Sequence, residues 1–309
     1  MTDGSIGRGP PAARLPDAVL AWYFVLMWGS GYLATKAGLH YAAPFTFLTL
    51  RFSLGIACLA LLALLSRPRW PSGPRSLMHV VVAGLLMHAG NLGGSHYAQY
   101  LGMSAGIVAL LLATQPLLTA LLLAALGASD RLRGLQWAGI ALGLGGVGLV
   151  VAHKVDVDAA SIGSLVAVVA SLVSITLGTL YQRRYCAEVD LRSAGLIQVA
   201  ATVVVLAPLA VGFEGFAVRP STTLWASIVY LVIGGSILAV NALHTLMRHG
   251  AAARVTSLLY LTPIVAVFLE WALYGLVPTA VSVVGIVVTC AGVALVTWQR
   301  RPLVADVET

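Results

Sequence analysis

Charge is scarce in this chain. Only 9% of its 309 residues are Asp, Glu, Lys or Arg, where a soluble domain carries about a quarter. That shortage excludes an ordinary water-facing surface. Cysteine is scarce as well. Cys58, Cys186 and Cys290 stand far apart, which excludes a disulfide framework and zinc-ligand spacing; Cys58 and Cys290 fall inside apolar runs as packing residues. No HExxH, GxSxG or phosphate-binding loop occurs, and the histidines are scattered. No catalytic residue, metal site or cofactor is therefore expected, and the chain does not read as an enzyme. The short alternating segments of a β-barrel are missing too. A net charge of +7 would suit nucleic acid, but the basic residues sit singly or in twos and threes between apolar runs, so no nucleic-acid partner is expected.

What the chain has is apolar length. Hydrophobic residues make up 59% of it, and a helix needs roughly 20 of them to cross a bilayer. Ten such runs lie at roughly 18–38, 44–65, 77–98, 103–126, 134–152, 161–181, 193–213, 223–247, 252–274 and 278–298. The first is too long for the core of a signal peptide and reads as a retained helix. Placing residues 1–17 in the cytoplasm and alternating puts 14 Lys and Arg residues on the cytoplasmic side and only Lys154 and Arg219 opposite. Cytoplasmic loops carry such an excess. The expected architecture is an all-α integral membrane protein of ten transmembrane helices with both termini cytoplasmic. The expected location is a bacterial inner membrane, crossed many times (multi-pass), with the lipid bilayer as the surroundings.

The chain also repeats itself. AGIVALLLATQPLLTALLL with GIALGLGGVGLVV matches AARVTSLLYLTPIVAVFLE with GIVVTCAGVALVT. Pro116 meets Pro263 at an offset of 147, as Lys36 meets Arg183 and Arg51 meets Gln198. The unit is five helices, so two copies cross the membrane in opposite senses. The expected halves are 18–152 and 161–298, flanked by tails at 1–17 and 299–309. Inverted repeats place a substrate site at their interface and allow one half to rock against the other.

The segments WGSGYLATKAG, LTLRFSL, YLGMSAGIVALLLATQPLLTALLL and GLQWAGIALGLGGVGLVV resemble the drug/metabolite transporter superfamily, in its ten-helix EamA-type branch. The resemblance runs from about Leu20 to Trp298 and implies secondary transport of small metabolites, commonly export. The YLTP of Tyr260 to Pro263 is similar to the YddG-type exporters of aromatic amino acids. The Leu-Gly-Glu that often ends the fourth and ninth helices of such proteins is absent. Leu126-Gly127-Ala128 and Tyr274-Gly275-Leu276 stand there instead, so no role of that glutamate carries over.

Polar groups inside apolar spans need protein or water to receive them. On the third span His88, Asn91, Ser95 and Gln99 share one face, with His79 on a neighbouring turn. Ser171 and Ser174 share a face of the sixth span, Asn241 lies deep in the eighth, and Tyr260 and Trp271 stand in the ninth. Trp28 and Tyr32 bring aromatic rings into the first. These eleven residues, His79, His88, Asn91, Ser95, Ser171, Ser174, Asn241, Tyr260, Trp271, Trp28 and Tyr32, are the candidates to line a substrate cavity. The same groups equally serve helix–helix hydrogen bonding, and the aromatics equally serve an interfacial belt. Pro116 and Pro263 each remove a backbone donor mid-span and are candidate hinges. Glu270 is the candidate proton site, because a carboxylate among apolar residues calls for a proton or a partner. Lys36 is expected to snorkel to the interface, and nothing in the sequence settles the role of Arg51. Gly143, Gly145 and Gly148 spell GxGxxG, but in mid-span and without a preceding strand. With Gly139 they read instead as a close-packing surface for another helix, of this chain or of a second copy.

The expected function is alternating-access transport of a small-molecule substrate, most naturally export of aromatic or large apolar amino acids. The alternatives are a carrier for another metabolite or a cationic drug, or a non-transporting membrane sensor or assembly protein.

Overall fold

The computed structural model describes residues 17–127, 132–154, 159–248 and 260–298. These are almost wholly helical; among them the only β pairing is a single antiparallel bridge between Ala42 and Val218. The helices are α1 (Asp17–Leu39), α2 (Pro44–Ser66), α3 (Pro74–Tyr100), α4 (Ala105–Ala125), α5 (Gly134–Lys154), α6 (Ala159–Tyr185), α7 (Leu191–Glu214), α8 (222–248), α9 (Thr262–Tyr274) and α10 (Ala280–Trp298). All but α9 are long and apolar enough to cross a membrane. The first part of the expected ninth span, 252–259, lies outside the described residues, as do Arg8, Arg14, Arg131, Arg254, Arg300 and Arg301.

Local chemistry accounts for the ends. Pro44, Pro74 and Pro263 stand in the first turns of α2, α3 and α9, where no amide donor is needed. Ser104 Oγ accepts from Ile107 N at 3.3 Å to cap α4. Gly127 and Gly275, which follow the fourth helix of each repeat, take φ values of 62° and 68° and so end those helices as only glycine does readily.

Two features recur in both halves. The third helix of each widens into a π-helical stretch, Leu85–Gly90 in α3 and Tyr230–Ala239 in α8. Shifted by the repeat offset of 147, the first falls inside the second. The fourth helix of each is interrupted at its proline. Thr114 turns between Ala113 and Gln115, and Tyr260 and Leu261 form a turn before Thr262. Neither π-helical stretch carries a sequence signal, since widening one turn depends on neighbours that receive the displaced carbonyls.

The two halves dock about a pseudo-two-fold axis. Helices α2 and α7, α4 and α9, and α5 and α10 pair as repeat mates, while α1 packs on α8 and α9 as α6 packs on α3 and α4. The α5–α10 seam is the tightest. A Cβ on Gly292 would stand 2.5 Å from the Gly139 carbonyl oxygen and 2.7 Å from Gly143 Cα, and one on Gly285 would stand 2.8 Å from the Gly146 oxygen. The packing surface expected from Gly139 and Gly143 is thus taken by α10 of the same chain. Side chains on the outside of the bundle, such as Leu64, Val204, Phe213 and Leu273, are exposed apolar groups, as lipid-facing residues must be.

Candidate functional site

The expected cavity residues divide into separate neighbourhoods. The best-defined lies along the seam between α3 and α6. Gly90, Gly94 and Gly178 let the two backbones approach closely; a Cβ on Gly94 would come 2.5 Å from the Ala167 carbonyl oxygen. Ser171 Oγ reaches both the Asn91 carbonyl oxygen at 2.6 Å and Asn91 Oδ1 at 2.8 Å, and Ser174 Oγ donates to the Leu86 carbonyl at 2.8 Å. Leu86 belongs to the π-helical stretch, so Ser174 supplies a donor where the ladder is displaced. Asn91 Nδ2 reaches the Met87 carbonyl at 3.3 Å. The geometry of Asn91, Ser171 and Ser174 is that of helix–helix bonding. Ser171→Ala is expected to lower stability by about 0.6 kcal/mol, read from unfolding of the purified protein. A substrate affinity that changes more than stability would place Ser171 in the transport path.

His88, also in the π-helical stretch, packs edge-on against Phe52 with ring centroids 5.7 Å apart and lies within electrostatic reach of Arg51 and Gln198. Ser95 approaches His96 Nδ1 at 3.4 Å, and His96 Nε2 lies 3.5 Å from Thr35 Oγ1. His79 sits apart, toward the end of the bundle where α1 begins; it bonds Tyr181 OH at 2.7 Å and stacks on Tyr185.

The remaining candidates do not join this group. Tyr260 is buried on α10, donating to Thr297 Oγ1 at 2.6 Å and packing with Leu117, Ile140 and Val293. Tyr32 packs between Val108 and Leu111 on one side and Leu33, Ala105 and Ala266 on another. Trp28 is 41% exposed beside Phe24, and Trp271 is 46% exposed beside Phe268, as interfacial or lipid-facing rings would be. Asn241 is exposed, its amide turned to the Ile237 carbonyl at 2.8 Å. Pro116 and Pro263 lie at the two interruptions already described.

Glu270 is buried at the distal end of the bundle, opposite the start of α1. Its Oε1 accepts from Lys36 Nζ at 2.6 Å and from Ala105 N at 3.1 Å, and its Oε2 accepts from Gly106 N at 3.1 Å. The carboxylate therefore closes the N-terminus of α4, whose first amides have no partner within the helix. Lys36 Nζ also lies 4.8 Å from the Tyr274 ring centroid. The Lys36 ammonium, expected to snorkel, is held by a buried acid of the neighbouring half, with 23% of its side chain exposed. Lys36, Ala105 and Gly106 belong to one half and Glu270 to the other, so the contact is a latch between them. A second one stands at the same end, where Glu214 of α7 accepts from Phe45 N at 2.9 Å and Thr46 N at 2.7 Å. At the position 147 residues before Glu270 stands Leu123, which cannot make an equivalent ionic contact.

A cavity of 380 Å³ lies beside the latch, lined by Ser104, Ile107, Val150, Val267, Glu270 and Ser282 among others, and an 820 Å³ groove opens between Tyr41, Tyr97, Phe213 and Glu214. Neither is lined by Arg51, His88 or Asn91. No group of three or more metal-ligating side chains occurs among the described residues. Sequence reasoning missed the pairing of Lys36 with Glu270 and the capping role of Glu214. Both acids stood in the sequence, but nothing along the chain linked them to helix ends more than 160 residues away.

Comparison with known proteins bears on the whole chain. The family described as EamA-like transporter family matches it twice, over residues 17–152 and 161–298. The Uncharacterized inner membrane transporter YedA of Escherichia coli (strain K12) is 30% identical over 296 residues, 94% of each chain. The Uncharacterized transporter YdfC of Bacillus subtilis (strain 168) is 27% identical over 86% of each. A Probable amino-acid metabolite efflux pump of Salmonella typhimurium is 25% identical over 89% of this chain and 93% of its own. A protein of known crystal structure superposes with a TM-score of 0.65 at 22% identity, covering 93% of this chain and 99% of that one, and shares the fold.

Proposed function

Because the chain belongs to the EamA-like transporter family, and is thus a multi-pass transporter of the bacterial inner membrane and not an enzyme, we propose that it exports amino acids with aromatic or large apolar side chains by alternating access. The observation that carries alternating access is the latch of Lys36 and Glu270 across two inverted halves at the distal end. Opening that end requires the halves to separate there, and the interruptions at Pro116 and Pro263 supply places to bend. The distal end is the periplasmic one in this reading, since 14 of the Lys and Arg residues fall to the other side.

The amino-acid class is supported by two considerations. One relative, at 25% identity, carries the name of an amino-acid metabolite efflux pump. The second is electrostatic. A cationic drug would need a free acid inside the bundle, and among the described residues Glu270 is the one buried acid, already held by Lys36 and two backbone amides. A solute with a carboxylate suits this interior better. Proton coupling through Glu270 would require the latch to open so that the carboxylate can exchange Lys36 for a proton.

The test is uptake of labelled amino acids into proteoliposomes, with and without a pH gradient, against empty liposomes. Saturable uptake of phenylalanine, tryptophan or leucine is expected, faster with a gradient if Glu270 carries the proton. Folded protein that moves none of the twenty amino acids would eliminate the amino-acid reading while leaving membership of the family untouched.

A further inference from the structure

Arg51 is a buried cation with no acid beside it. It is 9% exposed in α2, and the only ion pair among the described residues is that of Lys36 with Glu270. Its Nη2 reaches Ser236 Oγ at 3.5 Å, the long limit of a hydrogen bond, and its Nε is buried with no partner at all. The guanidinium carbon lies 5.7 Å from the Phe52 ring centroid, a contact weaker than a full ion pair. His88 and His96 lie within electrostatic reach of it, and a histidine is neutral or cationic, never an anion. His88 comes from the π-helical stretch of α3 and Ser236 from that of α8. The guanidinium is thus held where α2 meets the widened turns of both halves.

Arginine does not shed its charge by deprotonation. A charge in an apolar span is costly unless it is paired, and such residues mark the paths of ligands. Its contacts, the Ser236 hydroxyl and the Phe52 ring, are uncharged, and no acid among the described residues lies within ion-pair distance, so the missing partner is an anion. The planar fork of N–H groups matches a carboxylate with two parallel bonds. We propose that Arg51, with Ser236 beside it, is the counter-ion site for the carboxylate of the transported solute. This rests on the amino-acid reading above and narrows it. The carboxylate becomes the group that is recognised, and the amino group is not required.

Three probes separate the two groups: phenylalanine, 3-phenylpropionate, which lacks the amine, and phenethylamine, which lacks the carboxylate. Thermal unfolding of the purified full-length protein in detergent should be delayed by the first two and not by the third. In proteoliposomes, 3-phenylpropionate should compete with labelled phenylalanine, and phenethylamine should not. Arg51→Gln should erase the protection by both carboxylates. Arg51→Lys, which keeps the charge and loses the fork, should weaken it by about tenfold or more. Phenylalanine uptake by the Arg51→Gln protein with unchanged affinity would overturn this inference and leave the amino-acid reading standing. Arg51-dependent protection by 3-phenylpropionate without uptake of any amino acid would do the reverse. If Arg51→Gln does not fold, the unmodified protein still decides. Protection by phenethylamine or sodium chloride equal to that by 3-phenylpropionate, or no protection by either carboxylate, overturns the assignment.

Discussion

Glu270→Ala is expected to lower the unfolding free energy of the purified protein by about 3–5 kcal/mol, the range for removing one partner of a buried ion pair. The substitution strands Lys36, whose ammonium then has the Tyr274 ring as its remaining partner, and it uncovers the amides of Ala105 and Gly106 at the start of α4. Lys36→Ala should cost less. The Lys36 side chain keeps 23% of its exposure, and the carboxylate retains its two backbone donors without it. The double substitution should then be little worse than Glu270→Ala alone, since the two share one interaction. Chemical unfolding of the four proteins measures this directly. A Glu270→Ala protein within about 0.5 kcal/mol of the parent would show that the latch contributes nothing. The functional counterpart concerns the conformational balance. With the latch gone, the distal end should open more often, and a cysteine introduced at Ile107, in the cavity beside Glu270, should react faster with a membrane-impermeant maleimide added from that side. Unchanged labelling of a stable variant would mean that the latch does not govern opening.

The second large effect is expected on the α5–α10 seam. Gly292→Leu should leave little folded protein, because the first carbon of any side chain there would collide with the backbone of Gly139 and Gly143 rather than with movable side chains. Even Gly292→Ala should cost about 1–3 kcal/mol, the range for overpacking a tight interior. Gly145 provides the control. It lies on the same helix as Gly143, yet a Cβ at Gly145 would meet nothing within 4 Å. Gly145→Ala should therefore be neutral, or stabilising by up to about 1 kcal/mol through helix propensity. The yield of folded protein in detergent and its unfolding midpoint distinguish the cases. Equal behaviour of the Gly292 and Gly145 variants would contradict the close approach of the two helices.

Much of the fold was legible along the chain. Spans of some 20 apolar residues have one solution in lipid, because every backbone donor and acceptor must be satisfied within its own helix. The match of Pro116 with Pro263 revealed the duplication, and five helices per copy require the copies to be inverted. The same logic placed Gly139 and Gly143 in a helix contact. It could not say with which helix, since a GxxxG surface fits any close backbone. The polar stripes were partly legible. A 3.6-residue period places Asn91 and His88 on one side of α3, but a period says nothing of what stands opposite.

That second question was decided by tertiary structure. Asn91 faces Ser171 across 80 residues of chain, Lys36 finds Glu270 across 234, and Arg51 reaches Ser236 across 185 with no described acid within ion-pair distance. None of these follows from local pattern. In a bilayer the apolar face of each helix is as content with lipid as with protein, so hydrophobicity specifies that a segment crosses and not how it is rotated or against what. Rotation and partner are fixed by the few places where small residues admit another backbone and by the few polar groups that lipid cannot satisfy. Those are properties of two surfaces brought together, and they come into existence only when the inverted halves dock.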